Sequence, residues 1–388
     1  MLKMAKTELF MNLIKHRLCK EDSDITDLTP IDDHAIQDLM HLARRHDLSA
    51  IIASELIEQN QIVPEAIRLE LQETVCQAAC YCDIMNHEIQ WICDILEQGQ
   101  IPHIVLKGGA IRDYYPEPWL RTSGDIDILV QEEMLERAVL LLSERGCILH
   151  SKHRYHDIPM RTPANNLLEL HFNIREDISV LDSVLDLVWT YSHMVRNKKY
   201  QYRQSDEFLI FHLLAHMSYH LIHGGCGIRS FVDIWLLHQN KNLDQNILQE
   251  LIASAHLTDF YANVMTLNRV WFEKKSHCDV TLSFQELIIA SGTFGSRRSQ
   301  ILMEQAQAGS RKKYVLHRIF MPRKILVRQY PILAQHPILL PFCQMLRWVR
   351  ILIGNRQTAF NEMHTSHSHS DIQIQKTQQI LKQIGLNL

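Results

Sequence analysis

The sequence predicts an α+β fold: a small sheet-bearing core set between long helical segments. Two patterns carry this expectation. Apolar residues recur at three- and four-residue spacing before about residue 98 and after about residue 179, while the stretch between them reads strand, helix, strand, helix, strand. With 46% hydrophobic and 22% charged residues over 388 positions, the composition is that of a globular protein with room for two or three packed units, which excludes disordered and fibrous classes.

Residues 1–98 form a helical lead-in, with helical spacing over 35–45, 64–81 and 84–98 and few glycines or prolines. The character changes at Gln98-Gly-Gln-Ile-Pro, opening a core at 99–178. A short β-type run at 103–106 leads into Lys107-Gly108-Gly109, and alternation reappears at 124–130. A helix over 132–145 stops at Gly146, a polar stretch follows, and a second alternating run covers 167–174. Residues 179–296 are read as a helical domain, with helices over 207–223, 228–238, 244–256 and 260–272. A basic helical segment at 297–356 precedes a flexible tail, 357–388, that carries His364, His367 and His369 and ends in a polar helix.

The formal charge of −4 hides an asymmetry: residues 297–356 hold twelve Lys and Arg against the single acid Glu304, which leaves the rest of the chain near −15. That segment either docks on the chain's own acidic helices, the preferred reading, or faces an anionic membrane surface or partner. The apolar run 337–354 is broken by Pro341, Gln344, Arg347 and Arg350, which argues against a membrane span and for a helix that caps the fold or lies at an interface. Aromatic residues are 7% and do not interleave with the basic segment, so nucleic-acid binding gains little support. Nine scattered cysteines and an N-terminus without a signal-peptide core point to reduced thiols and a cytoplasmic location, peripheral to the membrane if the basic segment binds one.

The chemistry concentrates in two motifs, Ile104-Val-Leu-Lys-Gly-Gly-Ala-Ile-Arg-Asp and Arg121-Thr-Ser-Gly-Asp-Ile-Asp-Ile-Leu-Val. In a strand, Asp125 and Asp127 share one face while Ile126, Ile128 and Val130 face the core. Two adjacent carboxylates are costly unless a cation neutralises them, and oxygen-only ligands suit Mg²⁺ completed by a nucleotide's phosphates. A pair of ions about 3.5–4 Å apart would serve an in-line displacement. The run 167–174 offers a third carboxylate, Glu169, on the polar face of a strand, with His171 beside it to orient a carboxylate or meet a phosphate. Gly108 and Gly109 let backbone N–H groups approach a phosphate, Lys107 adds charge, and Arg121 and Ser123, in the loop before Asp125, are further nucleotide-binding candidates, Arg121 either contacting a phosphate or steadying that loop. Helical spacing stacks His212, His216, His220 and His223 on one face, either as a zinc site or, preferred, as a polar seam against Arg229 and Asp233 that borders the active cleft. Arg112 is a further cleft-lining candidate.

This constellation resembles the uncharacterised nucleotidyltransferase family of the DNA polymerase β-like superfamily, most strongly over residues 100–175. Weaker likeness continues at His216, Arg229 and Asp233 and at Ser291-Gly-Thr-Phe-Gly295. The resemblance implies that Gly108 and Gly109 bind the triphosphate and that Asp125, Asp127 and Glu169 hold two Mg²⁺ ions. It departs from the superfamily pattern in carrying Gly-Gly where Gly-Ser is commoner, and Glu where the third acid is usually Asp. The expected activity is transfer of a nucleoside monophosphate from an NTP, ATP first, onto a hydroxyl of a protein, small molecule or saccharide. Two alternatives stand beside it. Gly108-Gly-Ala-Ile-Arg-Asp113 resembles the glycine turn of enzymes that build the tRNA end, although their downstream Arg-Arg-Asp strand and nucleotide-selecting helix are missing. A scaffold that binds nucleotide without turnover is the other.

Overall fold

The computed structural model describes residues 2–19, 32–59, 64–150, 156–273, 275–293, 295–354 and 367–386. Arg356, His364 and the expected linker after residue 357 lie outside them up to residue 366. Among the described residues four helices precede the sheet: α1 Leu2–Cys19, α2 Asp33–His46, α3 Ser49–Glu58 and α4 Glu65–Gln98. In α2, Asp32 accepts the Ala35 amide at 2.7 Å, Ile36, Leu39, Met40 and Ala43 turn inward, and Asp47 ends the helix in the left-handed region at φ 59°. The expected helices 64–81 and 84–98 run together as α4, because the Cys82-Asp83 step between them holds no Gly or Pro to break it.

Among the described residues seven strands follow in one mixed sheet of order β3-β4-β5-β2-β1-β7-β6, and the class is α+β as the sequence predicts. They are β1 His103–Val105, β2 Asp125–Val130, β3 Ile148–Leu149, β4 Asp157–Arg161, β5 Leu167–His171, β6 Ser192–Met194 and β7 Gln201–Gln204. Helix α5 Lys107–Ile111 leaves β1, and α6 Leu135–Glu144 follows β2. β3, β4, β6 and β7 escape the sequence pattern because they are two to five residues long, too short for an alternation to register. β6 and β7 fall within 179–296, read from sequence as helical, and extend the sheet beside β1.

One face of the sheet, with Ile126, Ile128, Leu168 and Leu170, packs on Ile92 and Leu96 of α4 and Ala138 and Leu142 of α6. The other face belongs to a larger core shared by α1–α3 with α7 Ser179–Leu185, α8 Asp206–His223, α9 Ile228–His238, α10 Gln245–Ser254, α11 Thr258–Phe272 and α12 Asp279–Ser291. Phe208, Phe211, Phe231, Phe260 and Phe284 are fully buried there. Ile174, expected beside Leu168 and Leu170, joins this second core instead, because β5 ends at His171 and the chain leaves the sheet.

The basic segment divides. α13 Arg297–Ala308 docks as expected, burying Met303 and Ala306 in the larger core, and α18 Asp371–Gln383 packs beside it through Ile380 and Leu381. α14 Arg311–Ile319, α15 Arg323–Gln329, α16 Ile332–Gln335 and α17 Leu340–Gly354 instead gather around a small core of their own, Leu326, Leu333 and Cys343.

Candidate active site

Burial of Ile126, Ile128 and Val130 turns Asp125 and Asp127 to the opposite face of β2, toward the helical half. Parallel pairing then sets Asp127 opposite Glu169 and Leu129 opposite His171. The carboxylates open into a cleft of about 600 Å³ between the sheet and helices α8 and α9.

Lys107 reaches the same point from the other neighbouring strand. It sits at φ 42°, a left-handed conformation that a residue with a side chain adopts only where its surroundings enforce it, and its Nζ lies 3.2 Å from Asp127 Oδ1. His171 Nε2 approaches that oxygen at 2.8 Å and Glu169 Oε2 at 3.8 Å, and its ring stacks on His156 at 5.5 Å. Donor atoms of Asp127, Glu169 and His171 all lie within 4.8 Å of one another, the one such metal-competent group among the described residues; Asp125 faces the same cleft but stands outside that cluster.

The electrostatics follow from three acids around one lysine. Burial favours the neutral form of Asp127, but Lys107 and the hydrogen bond from His171 outweigh it and hold this carboxyl well below the usual range. Burial also opposes charge on Lys107, and Asp127, Asp125 and Glu169 overcome it and keep the ammonium. Asp125 is left over: burial, then the neighbouring Asp127 and Glu169, push it up to about 6 against the pull of Lys107. This is a site short of positive charge. Carboxylate oxygens at this spacing fit a hard divalent cation, with His171 as the group that orients Asp127.

The glycine pair divides its work. A Cβ on Gly108 would lie 2.7 Å from the Ser123 Cβ, so glycine lets α5 press against the loop that carries Asp125. Gly109 faces away from the cleft, where a Cβ would meet Val105 at 2.7 Å and Ile89 of α4 at 3.1 Å. Arg112 likewise lies behind the loop, buried, bonded to Asn86 at 2.6 Å and to the Ser123 hydroxyl, and does not line the cleft. Arg121 does line it, yet its guanidinium is engaged with Asp233 through Nε at 2.8 Å and Nη2 at 2.9 Å, while Tyr115 donates to the same carboxylate at 2.7 Å. That buried bidentate pair ties the loop before Asp125 to α9. Arg229 pairs with Asp47 and donates to the Thr122 carbonyl at 3.3 Å.

On α8 the histidines separate. His223 turns to its own helix, while His212 borders the cleft and bonds to Gln204. His216 and His220 face the cleft: His216 Nδ1 lies 2.6 Å from Glu176, and the two Nε2 atoms are 3.0 Å apart. Burial first, then the field of Lys107, lowers His216 to about 3, so a neutral ring donates Nδ1–H to the carboxylate, the tautomer following from the hydrogen-bond network. The sequence reading missed Asp47, Thr122, His156 and Glu176, all in the cleft wall. No spacing singles out Asp47, His156 or Glu176, since each is brought in by tertiary packing; Thr122 had a signal, its place between Arg121 and Ser123 in the motif before Asp125.

An α+β sheet that carries opposed carboxylates on parallel neighbours, beside a Lys-Gly turn into a helix, defines a nucleotidyltransferase class of site. The chain belongs to the uncharacterised nucleotidyltransferase family, whose model matches residues 32–273. The matched span takes in the whole sheet and α8–α11, and so nearly all of the cleft wall. No curated protein and no solved structure gives a significant match.

Proposed function

We propose that the protein transfers a nucleoside monophosphate from an NTP, with ATP as the donor to test first, to the hydroxyl of a protein, small-molecule or saccharide acceptor, and that it requires Mg²⁺. The observation that carries this reading is the direct opposition of Asp127 and Glu169 on paired strands, with Lys107, the first residue of α5, against Asp127. Asp125, Asp127 and Glu169 would hold the ions, two of them in this reading. Bound there, Mg²⁺ would offset the surplus negative charge and polarise the phosphates.

The acceptor hydroxyl gives up its proton to solvent in the cleft, its oxygen forms a bond to the α-phosphorus, the bond from that phosphorus to the bridging oxygen breaks, and pyrophosphate leaves. Lys107 and the backbone at Gly108 meet the phosphates as they arrive, and Lys107 then exchanges its contact with Asp127 for one with the nucleotide. His171 holds Asp127 in its orientation. Arg121, tied to Asp233, keeps the 121–124 loop, with Ser123, in position, while His216, His220 and Arg229 shape the far wall for the acceptor.

Two other readings fall to the same experiment. Full-length protein is incubated with α-³²P-labelled NTPs, Mg²⁺ and a lysate, beside Asp127→Asn. Label in protein, saccharide or small molecule that the variant fails to produce supports the proposal and names the acceptor class. Label confined to RNA would assign a tRNA-end activity, and ATP binding without label in any fraction would assign a nucleotide-binding scaffold.

A further inference from the structure

Helix α17 is turned inside out. Its inward residues are Cys343, Gln344 and Arg347, two of them polar. Gln344 Nε2 donates to the Met321 carbonyl at 2.6 Å, Arg347 Nη2 to the Arg318 carbonyl at 2.9 Å, and Trp348 Nε1 to the Ile319 carbonyl at 2.9 Å. Those carbonyls lie at and just beyond the C-terminal end of α14, where a helix leaves acceptors without intrahelical partners and favours a positive charge. The polar stripe of α17 is therefore spent on capping α14.

The opposite stripe holds Phe342, Met345, Leu346, Val349 and Ile353 at three- and four-residue spacing, all exposed, Ile353 at 82%. Ile338, just before the helix, is 91% exposed. An apolar stripe on the outside and a polar one inside is the reverse of what water selects, and marks a surface built for a second, less polar medium.

Charge indicates which medium. Between Gln305 and Gly354 the sequence contains no Asp or Glu, while Lys312, Lys313, Arg323, Lys324 and Arg350 are exposed. A second copy of this face would bring like charges together, and the acidic remainder of the chain would be repelled by an anionic layer, so an anionic layer admits this face alone. No helix among the described residues is long and apolar enough to cross a membrane.

We propose that α14–α17 form a docking surface for an anionic lipid bilayer, lying flat with the α17 stripe in the acyl boundary and the lysines and arginines at the phosphate level. The surface fixes which way the protein faces the membrane. This inference stands apart from the transfer chemistry and does not depend on it.

The test is co-sedimentation of the full chain with phosphatidylcholine vesicles, with and without phosphatidylserine. Binding is expected with phosphatidylserine, about tenfold or more weaker without it, and falling steeply as salt is raised. Val349→Ser with Ile353→Ser, and separately Lys312→Glu with Lys313→Glu, should each cost about tenfold or more in binding with an unchanged circular dichroism spectrum, since all four side chains are exposed. Full-length protein that ignores phosphatidylserine vesicles at low ionic strength overturns the proposal. So do variants that bind like the parent, or a dimer in solution that Val349→Ser with Ile353→Ser disperses, which would give the stripe to a second copy.

Discussion

Asp125→Asn should stabilise the ligand-free protein while abolishing transfer. Burial and two neighbouring carboxylates raise Asp125 from its ordinary 3.8 to about 6, so its charged form is disfavoured in the folded chain. At about 1.4 kcal/mol per factor of ten in proton affinity, that rise corresponds to about 3 kcal/mol, and relaxation of Lys107 and solvent entry reduce the expected gain to about 1–2 kcal/mol. The sign follows from proton counting. Between pH 3.8 and about 6 the folded state holds a proton that the unfolded state has released, so the wild type loses this stability as pH rises through the window. The advantage of the variant should therefore be full above pH 6 and shrink toward pH 4. In differential scanning calorimetry it reads as a melting temperature about 1–3 °C higher at pH 7.5. Adding Mg²⁺ with ATP should raise the wild-type melting temperature and leave the variant unmoved. A variant no more stable than the wild type at pH 7.5, or equally stabilised at pH 4 and pH 7.5, would refute the electrostatic reasoning; one that retains activity within tenfold would refute the role of Asp125.

Glu169→Gln should lower kcat by about a hundredfold or more with little change in KM for the nucleotide, because binding rests mainly on Lys107 and the α5 turn; steady-state kinetics decides it. Asp233→Ala leaves the Arg121 guanidinium buried without its partner and should cost about 3–5 kcal/mol in urea unfolding, with loss of activity as the 121–124 loop loosens. Burial lowers His212 to about 3, so between pH 6.5 and 3 the unfolded chain takes up a proton that the folded chain refuses, and stability falls as the pH drops through that range. His212→Gln, which preserves polarity beside Gln204, should flatten the decline in urea midpoint between pH 7 and 5; an unchanged slope would count against burial as the cause.

What the sequence determined by itself is local. The two-residue period of a strand is enough to put Asp125 and Asp127 on one face, because Ile126, Ile128 and Val130 have only the core to go to. Helical periodicity found α4, α8 and α9, and Gly-Gly after a short apolar run found the turn into α5. Tertiary structure decided what lies across the gaps. Alternation showed Glu169 on a polar face, but only the parallel register with β2 sets it against Asp127. Arg121 meets Asp233 across 112 residues, and His216 meets Glu176 across 40, pairings that no spacing announces because they depend on how α8 and α9 settle on the sheet. The same holds for α17. Its amphipathic pattern is plain in the sequence, yet which stripe faces outward was decided by the exposed carbonyls of α14, which drew the polar side in and left the apolar side to the surroundings.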